Sequence, residues 1–195
     1  MMYRKALLIL ALLGLTPPVL ADSATALFAG GCFWCMESDY QEQKGVSDVV
    51  SGFTGGTSKN PTYSGSHQGH FEAVKVTYNP SVISYQQLLD LFWTSVDPFD
   101  NKGQFCDKGF SYRSAIFPGN AQERQLAELS KAAVVARFPE QQVHTEIRDA
   151  NQFWPVEEYH QDYYLKNPVR YKYYRWNCGR DQRLEQIWGE TTSRH

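Results

Sequence analysis

Apolar residues recur along the chain with two periods, one typical of strands and one typical of helices. Residues 71–78 alternate apolar and polar side chains, which predicts a half-buried strand that ends before Asn79-Pro80. Residues 120–138 instead repeat apolar side chains every three or four positions, which predicts an amphipathic helix with Asn120 as its cap. The inward face of that helix is predicted to carry Leu126, Leu129, Ala133 and Val134.

The same periodicities divide the rest of the chain into strands, helices and two long loops. The predicted strands are residues 25–29, 46–53, 71–78, 113–117 and 143–147. The predicted helices are residues 32–43, 84–95, 120–138, 157–164 and 181–188. Residues 54–69 and 97–109 are predicted to be irregular, and loops of that length usually carry function.

The order of these elements indicates the fold class. Because no helix separates the second and third predicted strands, a doubly wound parallel sheet is disfavoured. Strands and helices around long loops favour an α/β or α+β two-layer sandwich with a mixed or antiparallel sheet. A long irregular C-terminal tail, basic and aromatic in turn, is predicted around the last short helix at residues 181–188.

The first 21 residues have the organisation of a cleaved signal peptide. Arg4 and Lys5 form a short basic start, residues 6–15 are apolar, and Ala21 offers a small residue at the cleavage position. The apolar run is too short to span a bilayer. We therefore expect cleavage near Ala21, a single domain over residues 22–195, and a location in the periplasm or outside the cell, where conditions are oxidising.

Composition excludes two classes of partner. The chain has a formal net charge of −2 and no dense run of lysine or arginine. Basic residues near the C-terminus alternate with tyrosines and are diluted by Asp181 and Glu185. Nucleic acids and anionic membranes are therefore not expected partners.

Residues 31–36, Gly-Cys-Phe-Trp-Cys-Met, carry the clearest chemical signal. A short strand, a Gly-Gly turn and a helix follow one another here, which places Cys32 at a helix N-terminus. Unpaired backbone N–H groups and the helix dipole favour a thiolate at that position, and the thiolate is the nucleophilic form of cysteine. Cys32 is therefore predicted to be a reactive nucleophile, with Cys35 as a second thiol three residues later.

Short motifs spread over the chain complete this signal. They lie at residues 30–37, 51–56, 60–63, 69–72, 97–98, 104–109, 112–116 and 159–163. In this order, and over about residues 27–189, they resemble the A-type peptide methionine sulfoxide reductases. The resemblance implies an α/β sandwich of the ferredoxin-like plait type, no metal or organic cofactor, and reduction of the S epimer of methionine sulfoxide in proteins and peptides.

That chemistry requires a thiolate, an acid and a small apolar slot. The sulfoxide sulfur can be attacked only if the departing oxygen is protonated or strongly hydrogen-bonded. Cys32 supplies the thiolate, and Phe33 and Trp34 are the expected walls of the slot. Glu72 is the expected acid, because burial among aromatic residues should raise its pKa and keep it protonated.

Three further residues match the family's site. Tyr63 and Tyr112 resemble its two hydroxyl donors to the sulfoxide oxygen, where charge develops in the transition state. Asp107 matches a carboxylate that organises water and polar contacts at the pocket floor. His70 and His160 are expected to form hydrogen bonds around the site, because no partner spacing supports a metal.

Attack on the sulfoxide should leave Cys32 as a sulfenic acid, with which a second thiol must condense. Cys35 can close a disulfide locally in its C-x-x-C arrangement, and Cys178 lies in the tail, where the family often keeps its resolving cysteines. Both stay open as candidates, with Cys106 ranked third because it is expected to pack against the core. Recycling then implies a thioredoxin-like electron donor, and the protein is expected to be a monomer.

Two other classes of protein remain as alternatives. A disulfide oxidoreductase would also use Cys32 and Cys35, but Phe33 and Trp34 fill the gap between them with bulk. A zinc-stabilised binding module would need a second close pair of cysteines or a pair of histidines.

Overall fold

The computed structural model describes residues 23–65, 67–149 and 152–189. The strands are β1 Ala24–Gly30, β2 Val46–Thr54, β3 Phe71–Tyr78, β4 Gly103–Gln104, β5 Asp107–Lys108, β6 Ser114–Ile116, β7 Glu146–Ile147 and β8 Trp154–Pro155. The helices are α1 Phe33–Gln41, α2 Tyr85–Thr94, α3 Ala121–Arg137, α4 Tyr163–Lys166, α5 Pro168–Asn177 and α6 Arg180–Trp188. Short 3-10 turns lie at Phe110–Tyr112 and Glu158–His160. The predicted signal peptide and its cleavage position lie outside the described residues.

The main sheet has the strand order β7-β6-β1-β3-β2-β8. Neighbouring strands are antiparallel except β6 and β7, which are parallel, so the sheet is mixed, as the sequence predicted. In the register of β2 with β3, Phe53 lies opposite Glu72. Strands β4 and β5 form a separate two-stranded sheet within the predicted 97–109 loop.

Alternation along the strands separates two apolar clusters. In β3, Val74 and Val76 join the large cluster beneath the helices, whereas Phe71 and Ala73 join a smaller one. This is the consequence of a side-chain period of two in an extended strand. Phe28 of β1 stacks in the large cluster on Tyr40 of α1, with ring centroids 5.3 Å apart.

Helix α2 begins where the sequence predicted. The Ser84 hydroxyl accepts a hydrogen bond from the Gln87 backbone N–H at 3.2 Å, and the Gln87 side-chain Oε1 accepts one from the Ser84 backbone N–H at 2.9 Å. This reciprocal capping box satisfies two N–H groups that would otherwise lack partners.

The inward face of α3 differs from the prediction. The buried residues are Ala127, Ser130 and Val134, while Leu129 is 60% exposed and Ala133 is exposed. Val134 is buried and Leu126 packs against the core, as predicted, whereas Ala127 and Ser130 are buried in place of Leu129 and Ala133. The physical reason is a polar contact: Trp93 of α2 donates to the Ser130 hydroxyl at 2.9 Å and turns that side of α3 inward.

The irregular C-terminal tail is wrong between residues 165 and 180, because α5 occupies most of that stretch, whereas the helix predicted at residues 181–188 is present as α6. Arg175 of α5 is buried and pairs with Asp39 of α1 at 2.9 Å and with Asp181 of α6 at 2.6 Å. A buried charge needs such partners, so these ion pairs hold the segment against the domain. Within the part of the chain that the structure describes, every helix is too short or too polar to cross a membrane.

Candidate active site

The predicted nucleophile lies in the turn between β1 and α1. Gly31 has a φ of +86°, and a Cβ there would lie 2.6 Å from the Gln104 Cβ, so a glycine is required at this turn. Cys32 follows as the N-cap residue of α1. Its carbonyl accepts the Met36 N–H at 3.3 Å, so the helix begins directly at the cysteine.

A small cavity of about 50 Å³ opens at this helix start. The structure brings together there every catalytic and substrate-binding residue that the sequence singled out. The lining residues are Cys32, Phe33, Trp34, Tyr63, Glu72, Asp107, Tyr112 and Tyr174.

Glu72 is a buried acid aimed at the start of α1. Its Oε2 accepts the Phe33 N–H at 3.1 Å, and Tyr112 forms a further side-chain hydrogen bond with it. Burial raises the pKa of the Glu72 carboxyl from 4.5 to about 8, and the nearby Asp107 carboxyl adds to the effect. The carboxyl is therefore mostly protonated at neutral pH and can donate a proton.

The pKa values of the two cysteines in the motif shift in opposite directions. Burial raises the pKa of Cys32 well above its ordinary value, as do Cys35 and Glu72 beside it. A hydrogen bond with Cys32 and the nearby Arg180 guanidinium lower the pKa of Cys35 to about 7, against the effect of burial. Burial of the sulfur, followed by Cys35 and the Glu72 carboxyl, therefore opposes the resting Cys32 thiolate that the helix start predicts.

The two predicted hydroxyl donors face the same space. Burial raises the pKa of Tyr63 to about 12 and raises that of Tyr112 further, and Glu72 is the next cause for both. Both hydroxyls therefore keep their protons at any physiological pH. The backbone N–H of Tyr63 is held by the Glu157 carboxylate at 3.3 Å, which fixes the long 54–69 loop over the cavity.

Trp34 forms one wall of the cavity and is fixed on two sides. It stacks on Tyr163 with ring centroids 3.8 Å apart, and its Nε1–H donates to His160 Nδ1 at 3.1 Å. His160 also packs against Tyr63, with ring centroids 4.1 Å apart. The buried His70 accepts the Gly56 N–H at 3.3 Å and so supports the same loop from beneath.

Tyr174 is the cavity residue that the sequence missed. Its hydroxyl donates to Asp107 and is within hydrogen-bonding distance of Cys32. Burial raises the pKa of Asp107, while this hydrogen bond opposes the change. The signal that could have found Tyr174 is the helical spacing of Tyr171, Tyr174 and Cys178, which only becomes visible once α5 is assigned as a helix.

Cys106 and Cys178 form a disulfide with their Cα atoms 4.9 Å apart. Cys106 is exposed, so the expectation that it packs against the core is wrong. The reason is that Cys106 lies at the tip of the β4–β5 hairpin, between Gln104 and Asp107, on the surface. Cys178 ends α5 and is partly buried, and Cys32 and Cys35 are free thiols.

A desolvated thiol, a protonated carboxyl and hydroxyl donors around a slot for a small apolar group define a cysteine-dependent oxidoreductase. The peptide methionine sulfoxide reductase family model matches residues 24–192. The MsrA 2 peptide methionine sulfoxide reductase of Caulobacter vibrioides is 50% identical over 185 residues, which cover 92% of this chain and 94% of that protein. The chain belongs to the peptide methionine sulfoxide reductase family and is an oxidoreductase of the MsrA type.

Solved structures agree with this membership. Methionine sulfoxide reductase A of Corynebacterium diphtheriae superposes with a TM-score of 0.72 at 28% identity, covering 82% of this chain and 81% of that one. Mxr1 of Saccharomyces cerevisiae, solved in complex with Trx2, has a TM-score of 0.54 at 22% identity, covering 74% of this chain and 86% of that one. At this sequence identity, the similarity to Mxr1 shows only that the two proteins share a fold.

Proposed function

We propose that the protein reduces the S epimer of methionine sulfoxide, in peptides and oxidised proteins or as the free amino acid, with Cys32 as the nucleophile. The observation that carries this proposal is the convergence of Cys32, Glu72, Tyr63 and Tyr112 on one small cavity walled by aromatic rings. The sulfoxide methyl group fits against Phe33, and the oxygen faces the hydroxyls and the carboxyl. Asp107 holds the Tyr174 hydroxyl beside the sulfur.

In the first step, the Cys32 sulfur attacks the sulfoxide sulfur while the sulfoxide oxygen receives a proton from Glu72. The carboxyl regains a proton from the Cys32 thiol, so the net charge of the buried cavity does not change. This matters because both groups resist ionisation in the desolvated site. The sulfoxide S–O bond then breaks as the protonated oxygen bonds to the Cys32 sulfur, and the transient bond between the two sulfurs breaks with its electron pair going to the methionine sulfur. Cys32 is thereby oxidised by two electrons to a sulfenic acid, and methionine, reduced by two electrons, leaves.

We propose that Cys35 resolves the sulfenic acid in the second step. Its thiol already lies within hydrogen-bonding distance of Cys32, and its pKa of about 7 provides a thiolate at neutral pH. The thiolate attacks the Cys32 sulfur, an S–S bond forms, and the hydroxyl group leaves as water after taking a proton. Cys178 is the weaker candidate for this step because it is bonded to Cys106.

The disulfide is then returned to two thiols by a thioredoxin-like donor, and no bound cofactor or metal takes part. Support for the donor is that Mxr1 of yeast forms a complex with Trx2. Among the described residues, Cys106, Asp107 and Cys178 form a group with ligand atoms within 4.8 Å of one another, but the disulfide removes both thiolates.

The finer predictions on fold and location belong to the same proposal. The order β6-β1-β3-β2, with α1 between β1 and β2 and α2 between β3 and β6, supports a ferredoxin-like plait. A mature domain of residues 22–195, cleaved near Ala21, acting as a monomer in the periplasm or outside the cell is supported by the sequence pattern alone.

The test uses N-acetyl-L-methionine sulfoxide as an equal mixture of its two sulfur epimers, with excess dithiothreitol, followed by chromatography that separates the epimers. We expect the S epimer to be consumed completely while the R epimer remains. Consumption of both epimers at similar rates, or of neither, would contradict the proposal. Disulfide exchange on an unfolded protein, without turnover of sulfoxide, would instead support the disulfide oxidoreductase alternative.

A further inference from the structure

The imidazole of His160 touches three of the residues that line the cavity. Its ring centroid lies 5.4 Å from that of Phe33, 5.6 Å from that of Trp34 and 4.1 Å from that of Tyr63. His160 is 1% exposed and is not itself a lining residue. It therefore supports from behind one hydroxyl donor and both walls of the apolar slot between Phe33 and Trp34, which we call the methyl slot.

The chain around His160 is anchored by the two residues that follow it. The side-chain amide of Gln161 binds both backbone groups of Ser51 in β2: its Oε1 accepts the N–H at 2.8 Å, and its Nε2 donates to the carbonyl at 2.9 Å. The Asp162 N–H donates to Glu37 Oε1 of α1 at 2.9 Å. Because these bonds join the turn to β2 and α1, the sheet and the first helix fix the position of the imidazole.

The hydrogen bond between Trp34 and His160 can run in only one direction. An indole N–H is a donor and never an acceptor. The Trp34 Nε1–H therefore donates to His160 Nδ1, at 3.1 Å, and the imidazole is neutral with its proton on Nε2. Burial of the ring lowers the pKa of His160, which favours the same neutral form. Within the part of the chain that the structure describes, Nε2 has no hydrogen-bond partner, so the bond to Trp34 decides how the ring is oriented.

This bond supplies a restraint on Trp34 that stacking does not. The Trp34 ring lies on Tyr163 with centroids 3.8 Å apart and planes 7° apart, which fixes the plane of the indole. Two stacked rings can still slide over one another and turn within that plane. A directional hydrogen bond at the edge of the ring removes this freedom. The edge that Trp34 presents to the methyl slot is therefore set by His160.

We infer that His160 is a positioning residue that fixes the width of the methyl slot by holding Trp34 through Nδ1, and that it thereby determines the preference of the site for S-methyl over larger S-alkyl sulfoxides. This inference rests on the proposed function. One methylene group in an apolar pocket changes kcat/KM by about 10- to 200-fold. Such discrimination requires a wall that does not yield to the larger group, and His160 acts on the substrate only through this wall.

The kinetic test uses two substitutions of similar shape. Asparagine keeps an oxygen acceptor close to the place of Nδ1, whereas leucine has the same branched shape without an acceptor. With dithiothreitol as reductant, kcat/KM is measured on the S epimers of N-acetyl methionine sulfoxide and of N-acetyl ethionine sulfoxide, whose S-alkyl group is longer by a methylene. We expect His160→Leu to lower the wild-type preference for the methyl substrate at least about fivefold, and His160→Asn to keep it within about twofold. His144→Leu, on the segment before β7 and away from the cavity, is the control and should match wild type.

A spectroscopic measurement follows Trp34 without any turnover. The indole N–H groups of the five tryptophans give separate signals in isotope-labelled protein, and Trp34→Phe identifies the signal of Trp34. Hydrogen exchange of that N–H should be slow in wild type and in His160→Asn, and at least about tenfold faster in His160→Leu. In the Trp34→Phe background, which lacks the donor, His160→Leu and His160→Asn should have the same methyl preference, because the interaction they differ in is already lost.

Other results would overturn the inference. A wild type without methyl preference, or equal loss of that preference in His160→Asn and His160→Leu, would show that the acceptor does not set the slot. Unchanged exchange of the Trp34 N–H in His160→Leu would show that stacking on Tyr163 suffices. If His160→Leu does not fold, the wild-type spectrum still decides, because a His160 proton found on Nδ1 would exclude the hydrogen bond. Failure of the proposed function is distinguishable, since wild type would then reduce neither sulfoxide while both spectroscopic signatures stayed as expected.

Discussion

Replacement of Glu72 by glutamine separates the catalytic use of a buried carboxyl from its cost to stability. The amide has nearly the same shape but cannot lose or donate a proton in the same way. Burial raises the pKa of Glu72 from 4.5 to about 8, so between these values the folded protein holds a proton that the unfolded chain has released. The contribution of Glu72 to the free energy of unfolding therefore falls as pH rises through this window.

The magnitude follows from the two pKa values. Each pH unit between 4.5 and 8 costs the folded state about 1.4 kcal/mol. Summed from about pH 5 to pH 8, the wild type should lose about 3 to 4 kcal/mol that the Glu72→Gln variant retains. In contrast, the sulfoxide step of the variant should slow by about 10² to 10⁴, the usual contribution of a general acid.

Urea unfolding at pH 5 and pH 8 measures the first effect, and single-turnover release of methionine measures the second. Glu37→Gln is the matched control for catalysis. Glu37 is also buried, with a pKa of about 7, but its partners are the Asp162 N–H and the Ser51 hydroxyl, outside the cavity. Glu37→Gln should leave the sulfoxide step unchanged.

The reasoning would be refuted by a difference in unfolding free energy between wild type and Glu72→Gln that does not change between pH 5 and pH 8. It would be refuted equally by a Glu72→Gln variant that releases methionine at the wild-type rate. The wild-type single-turnover rate should itself fall above about pH 8, as Glu72 loses its proton.

Four further substitutions test other parts of the site. Cys32→Ser should abolish methionine release by chromatographic assay while the circular dichroism spectrum stays unchanged, and turnover near wild type would exclude its role. Cys35→Ser should release one burst of methionine and then accumulate a sulfenic acid on Cys32, which dimedone traps and mass spectrometry detects. Cys178→Ser should instead accumulate the Cys32–Cys35 disulfide. The reverse pattern would make Cys178 the resolving residue. Tyr174→Phe removes the hydroxyl between Asp107 and Cys32 and should slow the single-turnover rate about tenfold. A tenfold change corresponds to about 1.5 kcal/mol, on the order of what a hydrogen bond to a charged group contributes. An unchanged rate would show that Tyr174 only packs against the cavity.

The sequence alone determined the elements that carry strong local signals. The Ser84 cap, the period of two in β3 and the strand–turn–helix pattern around Cys32 each act within a few residues, and the structure has these elements at the predicted places. Motif order likewise nominated Glu72, Tyr63 and Tyr112 for one cavity, because each stands in a short recognisable segment.

Only the tertiary structure decided the features that depend on contacts between distant residues. Helix α5 is stabilised by the pairing of Arg175 with Asp39, 136 positions away, so no local pattern revealed it, and Tyr174 was missed with it. The Cys106–Cys178 disulfide spans 72 residues. The helix N-terminus favours ionisation of Cys32, but burial of its sulfur, with Cys35 and Glu72 beside it, raises its pKa, and the sequence pattern does not show this burial. Desolvation is set by everything that packs around an atom, and a linear sequence does not contain that information in local form.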